Sequence, residues 1–199
     1  MPNRILLLVF ILFASILGSC TSNASAQEKT IEDYRMSTDI PTGPELTATV
    51  QTEIDARTPP RDCPVTLPEK TTFKAPEPYS PDAPWEGIFW HGTEGLWTAL
   101  HTNGVWEGLP NNPEGYTQKI MWWSDLYVLR DELQPALVVS GRRLDADAPP
   151  LKFDGATNAY ADDIGDAMLT GVDFPTLGCW EITGQYKKSE LKFVVWLAP

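Results

Sequence analysis

Between residues 63 and 199 the apolar side chains come in short runs separated by Gly, Asn, Asp and Pro, the pattern of many short strands. The runs predict strands over 88–90, 96–101, 105–109, 117–123, 137–140 (continued by Arg142 and Leu144), 156–160 and 167–172, and a closing pair at 179–183 and 191–197. Alternation is clearest in the last. Leu191, Phe193, Val195 and Leu197 fall on one face, and Lys192, Val194 and Trp196 on the other. A turn through 184–190 makes the closing pair a hairpin with one thoroughly apolar face. Asn103-Gly104, between 96–101 and 105–109, predicts a second hairpin, because a type I′ turn needs positive φ at both central residues. No segment shows the period of an amphipathic helix, and 125–133 has room for one or two turns at most. Seven or more short strands in the 137 residues from 63 to 199 predict an all-β, two-sheet antiparallel β-sandwich.

The pattern upstream differs. Arg4 precedes an apolar run, 5–17, which is too short for a comfortable membrane span of ~20 residues and has the length of a secretory signal. The run ends in Leu17-Gly18-Ser19-Cys20, which resembles the bacterial lipobox, where small residues precede a cysteine that is lipidated and becomes the mature N-terminus. That resemblance implies a lipoprotein signal peptide over 1–19 and acyl chains on Cys20 that anchor the protein to a membrane. Thr21, not an acidic residue, follows the cysteine, a pattern that in a two-membrane bacterium resembles the one sent to the outer membrane.

Residues 21–62 hold 11 apolar side chains in 42, with one aromatic and eight acids against four bases. Such a stretch cannot bury enough surface to offset its ordering entropy. It predicts a flexible acidic stalk over 20–62, with a frayed helical turn near Glu53. Eight of the 18 prolines lie between Thr58 and Pro84, which favours an extended path across a surface. All eight Trp fall at or after position 85, so the folded domain is expected over 63–199.

Charge and residue types then remove classes of function. With 15 Lys+Arg against 27 Asp+Glu, a net charge of −12 argues against nucleic-acid binding, whose affinity comes largely from cations on phosphate. Two His and three Cys without paired spacing leave little for a transition-metal site, and no nucleophile signature or phosphate loop is present. Neither a cofactor nor an enzymatic activity is expected. His91 and His101 sit beside aromatic or aliphatic residues and read as strand-end residues with a local hydrogen bond, not as general bases. Asp162, Asp163 and Asp166 with Asn158 offer oxygens to Ca²⁺, but in no EF-hand spacing, and a solvated acidic loop is the plainer reading. Asp145 and Asp147, ahead of two prolines, are weaker candidates.

Two features bear on binding and stability. Cys63 and Cys179 remain once Cys20 is lipidated, and an oxidising compartment would let them pair and staple the incoming chain across the sandwich. Two buried thiols are the other outcome. Trp122 and Trp123 are neighbours on a strand and so point to opposite faces. One is expected to face outward, either as a binding surface for a sugar ring or a partner's apolar patch, or covered by the loop 124–135.

FPTLGCWEITG (174–184) with LKFVVWLAP (191–199), CPVTLP (63–68) and HGTEGLWTALHTNGVW (91–106) together resemble a group of poorly characterised bacterial lipoproteins, over most of the domain. The resemblance implies an immunoglobulin-like sandwich and no established activity. Gly178-Cys179-Trp180 looks like the sixth strand of an immunoglobulin domain, although Leu177 replaces the Tyr of a tyrosine corner. The expectation is a lipid-anchored protein of the bacterial cell envelope, facing the periplasm or exterior, that serves as a structural or interaction module. Its partners would be the membrane, through the lipid, and an envelope polymer or protein. The alternative is carbohydrate binding through exposed Trp.

Overall fold

A computed structural model of the protein describes residues 56–70 and 73–199; the expected signal segment 1–19, Cys20 and the stalk through residue 55 lie outside the described residues. Ten strands follow in order: β1 (Ile88–Thr93), β2 (Leu96–His101), β3 (Val105–Trp106), β4 (Asn111–Asn112), β5 (Gly115–Trp123), β6 (Val138–Arg143), β7 (Lys152–Ala161), β8 (Gly165–Phe174), β9 (Gly178–Tyr186) and β10 (Ser189–Leu197). One sheet has the order β1-β2-β5-β8-β7, with β4 also on β5, and the other β3-β10-β9-β6. Neither order is sequential: β8 lies between β5 and β7, and β9 between β10 and β6. The two antiparallel-rich sheets pack as an all-β sandwich. β1 extends the first sheet, and β3 joins β10 in parallel at Val105↔Trp196 and Trp106↔Leu197.

Alternation decides the core. Leu191, Phe193, Val195 and Leu197 of β10 are buried between the sheets, with Leu96, Leu100, Ile120, Trp122, Met168 and Val172 from the first sheet. Each large side chain so buried contributes roughly 1.5–3 kcal/mol. The Trp122 ring packs on Phe193 with centroids 5.7 Å apart, and its indole N–H donates to the Thr170 hydroxyl at 3.1 Å. Gly184 of β9 lies flat against that indole; a Cβ there would come within 2.4 Å of it.

The chain ahead of β1 straps the outer faces of both sheets. Cys63 is joined to Cys179 in a disulfide with Cα atoms 5.7 Å apart. Around this bond Val65 and Leu67 pack with Leu144, Val194 and Trp196 on the outside of the second sheet. Thr66 pairs with the edge of β10, its N–H donating to the Val194 carbonyl and its hydroxyl accepting from the Val194 N–H, both at 2.9 Å. Further on, Phe73, Ala75, Tyr79 and Ala83 pack against Trp90, Trp97 and Trp123 on the outside of the first sheet. Contact begins before Cys63: the Trp196 indole donates to the Ala56 carbonyl at 3.1 Å, and Arg57 pairs with Glu107 at 3.7 Å. The packed unit therefore reaches into what was expected to be the end of the stalk.

The hairpin expected at Asn103-Gly104 does not form. β2 pairs instead with β1 and with β5, while β3 crosses to the second sheet. Only Gly104 takes the positive φ expected at both central residues, at +69°; Asn103 does not, and its Oδ1 accepts from Val105 N–H at 3.0 Å. The pairing partner differs too: Val105 and Trp106 are buried alongside β10, and the Gly104 carbonyl accepts from Trp196 N–H at 2.9 Å. Burial of apolar surface outweighs the local preference. The closing hairpin is present with a tighter turn than expected, only Lys187-Lys188 separating the paired Tyr186 and Ser189.

Candidate functional site

The first sheet is incomplete at its centre. β2 and β5 pair only at Trp97↔Trp123 and Thr98↔Trp122, and from there the strands splay apart. The gap is a cleft of about 180 Å³ between Ala99 and His101 of β2 and Gln118, Lys119 and Met121 of β5, with Trp106 also lining it. Trp85 belongs to the same cleft and is 44% exposed. It is the one large exposed indole: Trp90, Trp97, Trp106, Trp122, Trp123 and Trp180 are buried, and Trp196 is partly covered by the incoming chain. Gln118 Oε1 accepts from the Lys119 N–H at 3.0 Å, which leaves the Gln118 amide NH₂ as a donor beside the cleft. A flat indole face next to amide, ammonium and imidazole groups suits a ligand that is apolar on one side and rich in hydroxyls on the other.

Trp122 and Trp123 do not form such a surface. They point to opposite faces, as strand geometry requires, yet both are 0% exposed. Trp122 enters the main core. Trp123 faces outward beneath Ala75, Ile164 and the neighbouring Phe73 and Tyr79, edge-on to Trp90 at 4.8 Å and donating to the Ile164 carbonyl at 2.9 Å. The cover over Trp123 thus comes from the proline-rich segment and the β7–β8 turn, not from the loop 124–135. That loop instead places Tyr127 and Leu129 against the main core. Phe73 and Tyr79, the aromatics of the proline-rich stretch, were the available signal for a cover.

The histidines part company. His91 Nε2 lies 3.0 Å from the Lys192 carbonyl and must carry the proton there; this contact closes β1 onto β10 and is not local. Burial lowers its pKa, opposed by the hydrogen bond to Lys192, so the ring is held neutral. Its Nδ1 is buried with no hydrogen-bond partner among the described residues. His101 is exposed at the cleft.

Asp162, Asp163 and Asp166 lie near one another without converging as metal ligands. Tyr160 donates to Asp162 at 3.0 Å, Asp166 accepts from Leu129 N–H at 2.9 Å, and Asn158 donates to the Leu133 carbonyl at 2.9 Å. Among the described residues no group of three or more His, Cys, Asp or Glu is placed to hold a metal ion. Asp145 has a structural partner set: Arg143 donates to it through Nε at 2.7 Å and Nη2 at 3.2 Å, and Cys179 N–H at 3.1 Å. The Arg143 hydrogen bond holds the Asp145 carboxyl below its usual range. Among the described residues no helix is long and apolar enough to cross a membrane. Compared with known protein families, curated proteins and solved structures, the chain matches none.

Proposed function

We propose that this chain is a lipid-anchored interaction module of the bacterial cell envelope, and that the splayed cleft beside Trp85 is its binding face for a polymer carrying sugar rings. The observation that carries this reading is the exposed indole at a cleft whose other walls supply hydrogen-bonding groups. Seven tryptophans are committed to packing, whereas Trp85 covers little of the core. The Leu17–Cys20 sequence and the resemblance to envelope lipoproteins support the anchor. A binding role is favoured over catalysis because, among the described residues, neither His91 nor His101 has a carboxylate partner to raise its basicity.

Two variants test the two halves. Trp85→Ala should stay within about 0.5 kcal/mol of the parent, as for surface changes, while losing adsorption to isolated envelope polysaccharide. Unchanged adsorption overturns the cleft as a binding face. Cys20→Ser should move the protein out of the membrane fraction; a variant that still sediments with membranes, with no acyl label on Cys20 of the parent, overturns the anchor.

A further inference from the structure

The polar wall of the cleft between the splayed strands β2 and β5 is biased towards donors. Lys119 is exposed and carries three N–H donors and no acceptor. Gln118 turns its side-chain oxygen onto the Lys119 N–H at 3.0 Å, so that its free end is the NH₂. The exposed His101 ring carries an N–H in either tautomer. Among the described residues no Asp or Glu lines the cleft, although the chain has 27 acids against 15 bases. Glu86 and Glu107 are next in sequence to Trp85 and Trp106; neither lines it, and Glu107 is turned to Arg57 at 3.7 Å.

Lys119 is the telling member. Arg57, Arg142, Arg143, Lys152 and Lys192 each have a carboxylate within ion-pair distance, and Lys119 has none among the described residues. A cation left without a counter-charge on an acidic protein, beside an exposed indole, suits a ligand that brings the negative charge itself. Sugar hydroxyls both donate and accept, whereas an ionised carboxylate only accepts, which is what a donor-rich wall favours. Ile88, Ala99 and Met121 supply apolar contact beside the Trp85 indole. The volume of about 180 Å³ is roughly six water molecules' share of the liquid, which limits the occupant to a single ring of a chain.

We infer that the ring held in this cleft is a uronic acid: its apolar face lies on Trp85, and its carboxylate accepts from the Lys119 ammonium, the Gln118 amide and the His101 ring. The inference rests on the reading of the Trp85 cleft as a sugar-binding face, and it adds the charge of the sugar.

The test is isothermal titration of the full-length protein with trigalacturonate and with its methyl ester, which keeps the rings and removes the charge. At low ionic strength the acid should bind about fivefold tighter than the ester, the scale of one exposed ion pair. The net charge of −12 repels an anion, so a preference for the acid reports the cleft and not the molecule as a whole. The gap should narrow in about 1 M salt. Lys119→Gln should bring the acid down to the affinity of the ester, Lys119→Arg should keep the preference, and Trp85→Ala should lose both ligands. Equal binding of acid and ester, with both lost in Trp85→Ala, overturns the uronic acid and leaves the sugar-binding reading standing. A preference for the acid that persists in Lys119→Gln also overturns it. Binding of neither ligand overturns the reading on which it rests.

Discussion

Trp122 and Trp123 occupy consecutive positions on β5 and fill different cores, the first between the sheets and the second beneath the strap. Replacement of either by Ala removes a fully buried indole and its hydrogen bond, and each should cost roughly 3–5 kcal/mol. Denaturant midpoints of the two variants check this; a near-normal midpoint for Trp123→Ala would mean that the strap does not cover it. His91 makes a pH-dependent contribution. The unfolded chain titrates near 6.5, while burial holds the folded ring lower. Its stabilising contribution is therefore complete above about pH 6.5, and is lost as pH falls through that value towards the lowered folded pKa. Between about pH 7.5 and pH 5 the parent should lose more melting temperature than His91→Gln, and equal losses would remove His91 as the cause.

At the scale of elements, the strand pattern was legible because each strand carries its own alternation. β2 has the expected bounds, and β5, β8, β9 and β10 extend the expected runs at their ends. Pairing was less legible. Asn103-Gly104 has turn chemistry that fits a hairpin, but the choice of partner for Val105-Trp106 depends on an apolar surface supplied by β10, some ninety residues away in sequence. The crossing is tight: Gly104 sits at φ +69°, and a Cβ there would lie 2.8 Å from Val65 Cβ on the strap. Gly104→Ala should cost more than ~1 kcal/mol, since strain at positive φ adds to the clash. A chemical-denaturation curve indistinguishable from the parent would show that the strap yields there.

For the molecule as a whole, the N-terminal strap is what turns a two-layer sandwich into one with both outer faces partly covered. The Cys63–Cys179 bond fastens it across 116 residues of sequence. On the chain-entropy account, closing a loop of that length contributes roughly 4–5 kcal/mol. Cys63→Ser should lower stability by that order and also loosen the contacts of Val65 and Leu67 with the second sheet. Thiol labelling of the denatured, unreduced parent should modify neither cysteine; full labelling of both would exclude the bond. The splay between β2 and β5 is one open place in this covered molecule, and the proposed binding face lies there.

Local alternation, turn residues and composition were enough to determine an all-β sandwich and the buried face of β10, since each follows from the period of a strand and needs no distant partner. The same local information put two candidate partners, Cys63 and Cys179, within the domain. Only the tertiary structure decided which indole stays exposed, because exposure depends on what another segment covers: Phe73 to Ala83 conceal Trp123, and among the described residues nothing comparable conceals Trp85. Likewise the orphan hydroxyl of Tyr127, without a hydrogen-bond partner among the described residues, is invisible in sequence. It is a property of the folded surroundings that bury it, not of the local sequence.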